Sequence, residues 1–226
     1  MTEATLDAPA PAPRARRIWR RVGLALGGVV LLGGVAHAPF ARSLLARVGG
    51  CPMGAPLSAS ELESKRVEAA RKIQGSAAAT ARPAFGFTLD VDTRTEARAW
   101  ATQQGAACTD ELAGAALRCA RTGEDALDVF FQFDPKGHLV ALDVMRERVA
   151  PERAATLVRD EIARLTREAG PPAKANGETT AAYLSGELHQ TSAEFRFSDY
   201  AADVSATHML GEGVMVRMQY RSIPKG

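Results

Sequence analysis

The most regular hydrophobic pattern in the chain is an alternation with period two, formed by Leu127, Val129, Phe131 and Phe133. This period is typical of a strand with one buried face. The turn residues 134–137 (Asp-Pro-Lys-Gly) come directly after it and predict a hairpin. Its second strand is expected to place four residues opposite the first set: Val144, Leu142, Val140 and His138. A slip of one residue would bring Asp143 onto the apolar face, so we expect Asp143 on the other face.

Three segments have the period of an amphipathic helix. The clearest begins at Pro151 and ends at Ala169, before the Gly-Pro-Pro stop at 170–172. A second is predicted from a capping box at Thr93 and Glu96 and runs to Gln104. The third segment, residues 60–74, has only a thin apolar stripe. It is predicted to be a mostly solvent-exposed helix capped by Ser60.

The remaining pattern predicts an α+β fold. Further strands are expected over 85–91, 181–188, 193–197, 200–208 and 214–221, with residues 174–180 as a loop. The order is a helix followed by antiparallel strands, twice, which suggests two αβ repeats. With 75–83 as a linker, the predicted organisation is a disordered cytoplasmic tail (1–17), a transmembrane segment (18–41), a juxtamembrane helix and linker (42–83) and an exported α+β domain (84–223).

The cysteine spacing predicts a disulfide between Cys108 and Cys119. A two-residue turn at Ala113 and Gly114 would place these two residues directly opposite each other on a hairpin, within reach of a bond. The alternative is a pair of buried reduced thiols. Cys51 is expected to be a free or intermolecular thiol.

The N-terminal region is typical of a membrane-targeting segment. Five arginines within residues 14–21 precede fifteen uncharged residues, 22–36. Counting Trp19 and residues 37–41, the segment reaches spanning length. The residues expected to face lipid are Trp19, Val22, Leu24, Leu26, Val29, Val30, Leu31, Leu32 and Val35.

Two fates of this segment remain open, an uncleaved anchor and a cleaved signal peptide. Residues 36–38 (Ala-His-Ala) have the small-x-small form of a cleavage site, but Pro39 would come directly after the cut and should fit a peptidase poorly, which favours an anchor. The arginine excess before the segment predicts a cytoplasmic N-terminus, an inner-membrane location and a periplasmic or extracellular domain. Gly23 and Gly27 would permit close helix packing, but abundant glycine makes dimerisation there a minor alternative.

Charge argues against nucleic-acid binding. Residues 1–50 hold seven Arg against Glu3 and Asp7, while the rest of the 226-residue chain holds 21 basic and 24 acidic residues. A mildly acidic body lacks the basic surface that nucleic acid requires. The composition, with 46% hydrophobic residues, also excludes collagen-like and disordered classes.

The sequence carries no established catalytic motif. HExxH, GxSxG, P-loop and GxGxxG patterns do not occur, and the four histidines are scattered. We therefore predict no cofactor and no metal. One polar group could meet at a sheet edge and offer carboxylates with imidazoles, although ordinary strand-edge polarity is the favoured explanation: Glu187, His189, Asp199, Asp203 and His208.

The element order resembles two families of exported modules. The pattern of Thr93, Glu96, Trp100 and Gly105, followed by residues 131–139, is similar to the SmpA/OmlA (BamE-like) envelope proteins and the tandem-repeat β-lactamase-inhibitor proteins. This resemblance implies protein binding on an exposed sheet face and implies no catalytic residues. The leading expectation is thus a membrane-anchored module that binds an envelope protein. The alternatives are a hydrolase or metal-binding enzyme near Asp203 and His208, and a secreted inhibitor-like protein.

Overall fold

Residues 58–123 and 126–224 are described by a computed structural model, and within them the chain forms helices on both sides of one large sheet. The helices are α1 (Ala59–Lys72), α2 (Arg94–Gln103), α3 (Pro151–Glu168) and the single turn α4 (Ala181–Leu184). A small hairpin consists of β1 (Pro83–Ala84) and β2 (Phe87–Thr88). The large sheet consists of β3 (Ala107–Glu111), β4 (Ala116–Arg121), β5 (Leu127–Phe133), β6 (Leu139–Val149), β7 (Lys174–Asn176), β8 (Gln190–Arg196), β9 (Tyr200–Met209) and β10 (Gly213–Ser222).

The large sheet is antiparallel throughout, in the order β3-β4-β5-β6-β10-β9-β8-β7. Each half is a four-stranded meander preceded by a helix, α2 before β3 and α3 before β7. The fourth strands of the two halves, β6 and β10, pair at the centre. The predicted α+β class is confirmed.

The core lies between the sheet and the two helices α2 and α3. Strand β5 buries alternate residues, as its sequence predicts, and Phe131 is fully buried against Trp100 of α2. Helix α3 packs on β9 and β10 and buries Glu161, whose carboxylate accepts hydrogen bonds from Tyr220 and Arg164. Pairing this carboxylate satisfies a group that would otherwise be costly to bury.

Helix α1 packs on the opposite face of the sheet. Ala70 is fully buried against Ala201 and Ile223, and Arg66 donates to the carbonyl of Ser222. The predicted linker then passes the β8–β9 turn, where Gly75 lies so close to the strand that an added Cβ would stand 2.1 Å from the Arg196 carbonyl oxygen. Only glycine fits this approach, so the position of α1 depends on it.

Several predicted elements are confirmed by the structure. They are the strand over 127–133 with its turn, the helix over 151–168, the capping box of Thr93 and Glu96, and the strands β9 and β10. The disulfide is confirmed as well, because Cys108 and Cys119 pair directly across β3 and β4 and are bonded.

The predicted register of the β5–β6 hairpin was wrong by two residues. Val129 faces Val144 and Phe131 faces Leu142, with an irregularity beyond Gln132. Because side chains alternate with period two, a shift of two residues leaves the same residues on the buried face. The extra residue is absorbed where Phe133 pairs with Leu139.

Four other local predictions were wrong. Residues 85–91 do not form one strand, because the chain reverses at Phe85 and Gly86 with positive φ angles of 53° and 89°. Residues 181–188 begin with the helical turn α4, capped by the Thr180 side chain. The N-cap of α1 is Ser58 rather than Ser60. Residues 174–176, expected in a loop, form the edge strand β7.

The membrane segment lies outside the described residues, as do Cys51 and the pair Gly23 and Gly27. Between residues 58 and 224, apart from 124 and 125, no helix is both long enough and apolar enough to cross a bilayer.

Candidate protein-binding surface

The face of the large sheet turned away from α2 and α3, here called the open face, is the main candidate site. Of the described helices, only α1 lies over it, at the end where Ala201 is covered. Since side chains alternate along a strand, the register defines which residues share this face. At its centre, across β4, β5, β6 and β10, lie Arg118, Asp128, Phe130, Asp143, Met145, Arg217 and Gln219.

Four of these residues form a compact group that we call the arginine-framed patch: Arg118, Phe130, Met145 and Arg217. Arg118 pairs with Phe130 across β4 and β5, and Met145 pairs with Arg217 across β6 and β10. Phe130 and Met145 are partly exposed and lie on neighbouring strands. Two apolar side chains thus lie between two arginines on a face that water reaches.

The Arg118 guanidinium is held by a carboxylate on the next strand. Its Nε atom donates to Asp128 Oδ1 at 3.0 Å, and its Nη2 atom donates to Asp128 Oδ2. The arginine side chain is 52% exposed and the aspartate 23%. This hydrogen-bonded pairing raises the pKa of Arg118 above its ordinary value. The bidentate contact with the carboxylate therefore fixes the plane of the guanidinium.

Arg217 on β10 makes the same kind of contact with Asp143 on β6. Its Nε atom donates to Asp143 Oδ1 at 3.1 Å, and its Nη2 atom donates to Asp143 Oδ2. The arginine is 46% exposed and the aspartate 27%, and hydrogen bonding to Asp143 raises the pKa of Arg217. Gln219 donates to the same carboxylate at 2.7 Å. Neither Nη1 group takes part in these bonds, so both arginines keep donors for another molecule.

The other half of the open face carries a more enclosed ion-pair group. Arg196 donates to Glu194 and Asp203, and Arg221 lies 3.7 Å from Asp203. The Arg196 side chain is only 19% exposed. The Arg196 charge is therefore paired within the sheet, and its side chain is less exposed than the two paired arginines of the arginine-framed patch.

A cleft of about 660 Å³ adjoins the patch, between the N-terminal half of α1 and the open face. Leu62 and Arg66 of α1 form one wall, and Phe130 with Asp143 lies on the sheet side. The volume lies in the range of small-ligand sites, and the cleft shares Phe130 with the patch. It can admit a side chain or a short segment of another molecule.

The third side of the cleft is a turn with unusual backbone angles. Leu112, Ala113 and Gly114 have φ values of 51°, 53° and 86° in succession. Leu112 is also 45% exposed, although it is a large apolar residue. Arg94 supports the turn by donating to the Gly114 carbonyl, and the Cys108–Cys119 bond closes the hairpin behind it. Non-glycine residues with positive φ cost free energy and are most frequent at functional sites.

The predicted polar group is brought together only in part. His189 and His208 are backbone neighbours, since the His208 N–H donates to the His189 carbonyl at 3.0 Å. Asp203 lies on the open face with Arg196, whereas His208 lies on the other face of β9, since five positions separate them. Asp199 lies in the β8–β9 turn and accepts from the Ala79 N–H. Glu187 is exposed, and the His189 ring stacks on the Tyr183 ring with 4.6 Å between the ring centroids. Within the part of the chain that the structure describes, no three His, Cys, Asp or Glu residues are placed to hold a metal ion.

The arginine-framed patch was missed by the sequence analysis, although one signal for it was present. In residues 127–133 (LDVFFQF), the alternation assigns Phe130 to the polar face, where an aromatic residue is unexpected. The other three residues are distant in sequence and form one site only through the strand order. No pattern of period two could have connected Arg118 with Arg217.

No protein-family profile matches the chain, and no curated protein or solved structure shows significant similarity to it. The resemblance to envelope modules and inhibitor proteins therefore rests on element order and on the pattern of residues 93–105 and 131–139. The function has to be argued from the surface itself.

Proposed function

We propose that this chain is a membrane-anchored envelope protein whose exported α+β domain binds another protein through its open face. The observation that carries the proposal is the arginine-framed patch, where Phe130 and Met145 are accessible between two arginines. Arginine, methionine and aromatic residues are enriched in protein interfaces. In this proposal the N-terminal segment anchors the chain in the inner membrane, and the domain lies in the periplasm or outside the cell.

The extracytoplasmic location is supported by the disulfide. Structural disulfides persist mainly in oxidising compartments, and Cys108 is bonded to Cys119 here. This agrees with the arginine-rich start of the chain, which predicts export of the C-terminal domain.

Protein binding fits the open face better than catalysis does. The carboxylates of the patch are paired with arginines, so they are poorly available as a general acid or base. A broad surface with partly exposed apolar residues instead favours contact with another macromolecule.

We further propose that the two halves of the sheet are αβ repeats related by an approximate two-fold axis between β6 and β10. Each half has a helix and a four-stranded meander in the same order. The repeats would join to form one continuous face that neither could form alone.

Site-specific photo-crosslinking tests the proposal. A photoreactive phenylalanine at position 130 in the full-length protein should give a discrete protein adduct in the native cells. The control is the same residue at position 159, on the exposed side of α3, where Arg159 is 59% exposed. An adduct pattern that is the same at both positions, or no adduct from position 130, would contradict the proposal.

A further inference from the structure

The two arginines of the patch share one geometry. Each uses Nε and Nη2 to bind one aspartate and leaves Nη1 outside that bond. Each arginine is about twice as exposed as its aspartate, 52% against 23% and 46% against 27%. An approaching molecule therefore meets guanidinium groups before carboxylates.

The spacing of these arginines defines what they can contact together. Arg118 lies on β4 and Arg217 on β10, with β5 and β6 between them. Three strand spacings and a displacement of two residues along the strands place their backbones about 16 Å apart. Phe130 and Met145 lie on the intervening strands, where they alternate with Asp128 and Asp143 and offer two apolar contacts.

Because both guanidinium groups are already held by aspartates, less conformational entropy is lost when a partner binds them. A free arginine side chain loses rotamer entropy when it is immobilised at an interface, and Asp128 and Asp143 have already imposed that order. The fork geometry also matches carboxylates better than a lysine could.

We infer that the open face recognises an acidic segment of its partner protein, in which carboxylates flank an apolar side chain. The carboxylates bind the outer nitrogens of Arg118 and Arg217, and the apolar side chain packs on Phe130 and Met145. This inference rests on the proposed function, because it specifies the chemistry of the partner at the same surface.

A random dodecapeptide library displayed on phage, panned against the full-length protein in lipid nanodiscs, tests the inference. Enriched peptides should carry Asp or Glu on both sides of an apolar residue. Against the R118Q/R217Q variant this acidic enrichment should disappear. The matched control is R159Q, which removes a similarly exposed arginine from α3 and should leave the enrichment unchanged.

The most enriched peptide, synthesised and titrated, gives the quantitative readout. R118Q/R217Q should bind it at least tenfold more weakly than wild type, whereas R159Q should differ by less than twofold. Raising the salt concentration from 50 to 500 mM should weaken wild-type binding and have little effect on the double variant. Circular dichroism of each variant verifies that the fold is retained.

Two results would overturn the inference and separate it from the proposed function. If binders require Phe130 but carry no acidic excess, or bind R118Q/R217Q equally well, the face binds protein and the acidic recognition is wrong. If no binder depends on any open-face residue, both the inference and the proposed function are wrong.

Discussion

At the scale of single residues, Phe130 and Phe131 show how one position along a strand separates stability from binding. Phe131 is fully buried beneath α2, whereas Phe130 is partly exposed on the open face. We predict that Phe131→Ala lowers the free energy of unfolding by about 3–5 kcal/mol, since it leaves a cavity. Phe130→Ala should lower it by less than about 1 kcal/mol, because no enclosed space is created. Urea unfolding measures both, and equal losses would show that Phe130 belongs to the core.

The buried tyrosines predict how stability responds to alkaline pH. Burial is the main cause that raises the pKa of Tyr220 well above its ordinary value, and the Glu161 carboxylate adds to it. Burial likewise raises the pKa of Tyr200. A proton held more tightly in the folded state stabilises that state below the unfolded pKa of about 10, and this stability is lost as the pH rises further.

We therefore predict that the free energy of unfolding falls above pH 10, by up to about 1.4 kcal/mol per pH unit for each of these tyrosines. Tyr220→Phe removes one titrating group and should roughly halve the slope. The same variant should be less stable at pH 8, because the hydrogen bond to Glu161 is lost. Urea midpoints at pH 8, 10 and 11 give the comparison, and an unchanged slope would contradict the assignment.

At the scale of elements, the sequence predicted what local patterns control. The helix over 151–168 and the strand over 127–133 are specified by their own apolar periods and by strong turn or stop residues. The failures occurred where the backbone leaves ordinary angles, as at Phe85, or where a bulge changes the register, as beyond Gln132. Neither event has a reliable local signal.

The candidate site was less predictable than the fold for a related reason. Its residues come from β4, β5, β6 and β10, and the pairing of β6 with β10 joins segments about 70 positions apart. Ion pairs such as Arg217–Asp143 exist only after that pairing is known. Within the predicted polar group, strand alternation separates Asp203 from His208, which lie on opposite faces of β9.

The hairpin of β3 and β4 is expected to depend on its disulfide for stability. It is an edge element that supports the strained turn at Leu112, and its disulfide closes a loop of eleven positions. Cys108→Ala/Cys119→Ala should lower the free energy of unfolding by about 3 kcal/mol and speed hydrogen exchange over 107–121. Cys51→Ala is the matched control and should leave both unchanged. Three titratable thiols in the denatured, non-reduced wild type would show that the bond is not formed in cells.

In the molecule as a whole, the two sides of the large sheet have different roles. One side carries the core, and the other is partly exposed to solvent. Helices α2 and α3 cover one side and provide the main core, and the four residues of the arginine-framed patch lie outside that core. Substitutions there can change binding without unfolding the domain. This division is what allows the R118Q/R217Q test to be interpreted.

Pro39 is expected to determine whether the chain stays anchored at the membrane. If Pro39 prevents cleavage after Ala38, the wild-type protein should sediment with membranes and retain residues 22–36 in its intact mass. Pro39→Ala restores an ordinary residue after the small-x-small site, so a fraction of the domain should be released as soluble protein that begins at position 39. Intact-mass analysis of membrane and soluble fractions distinguishes these forms, with Pro56→Ala as a control proline beyond the segment. A wild-type protein that already begins at residue 37 or 39 would replace the anchored module with the secreted one, and the open face would then act on partners away from the membrane.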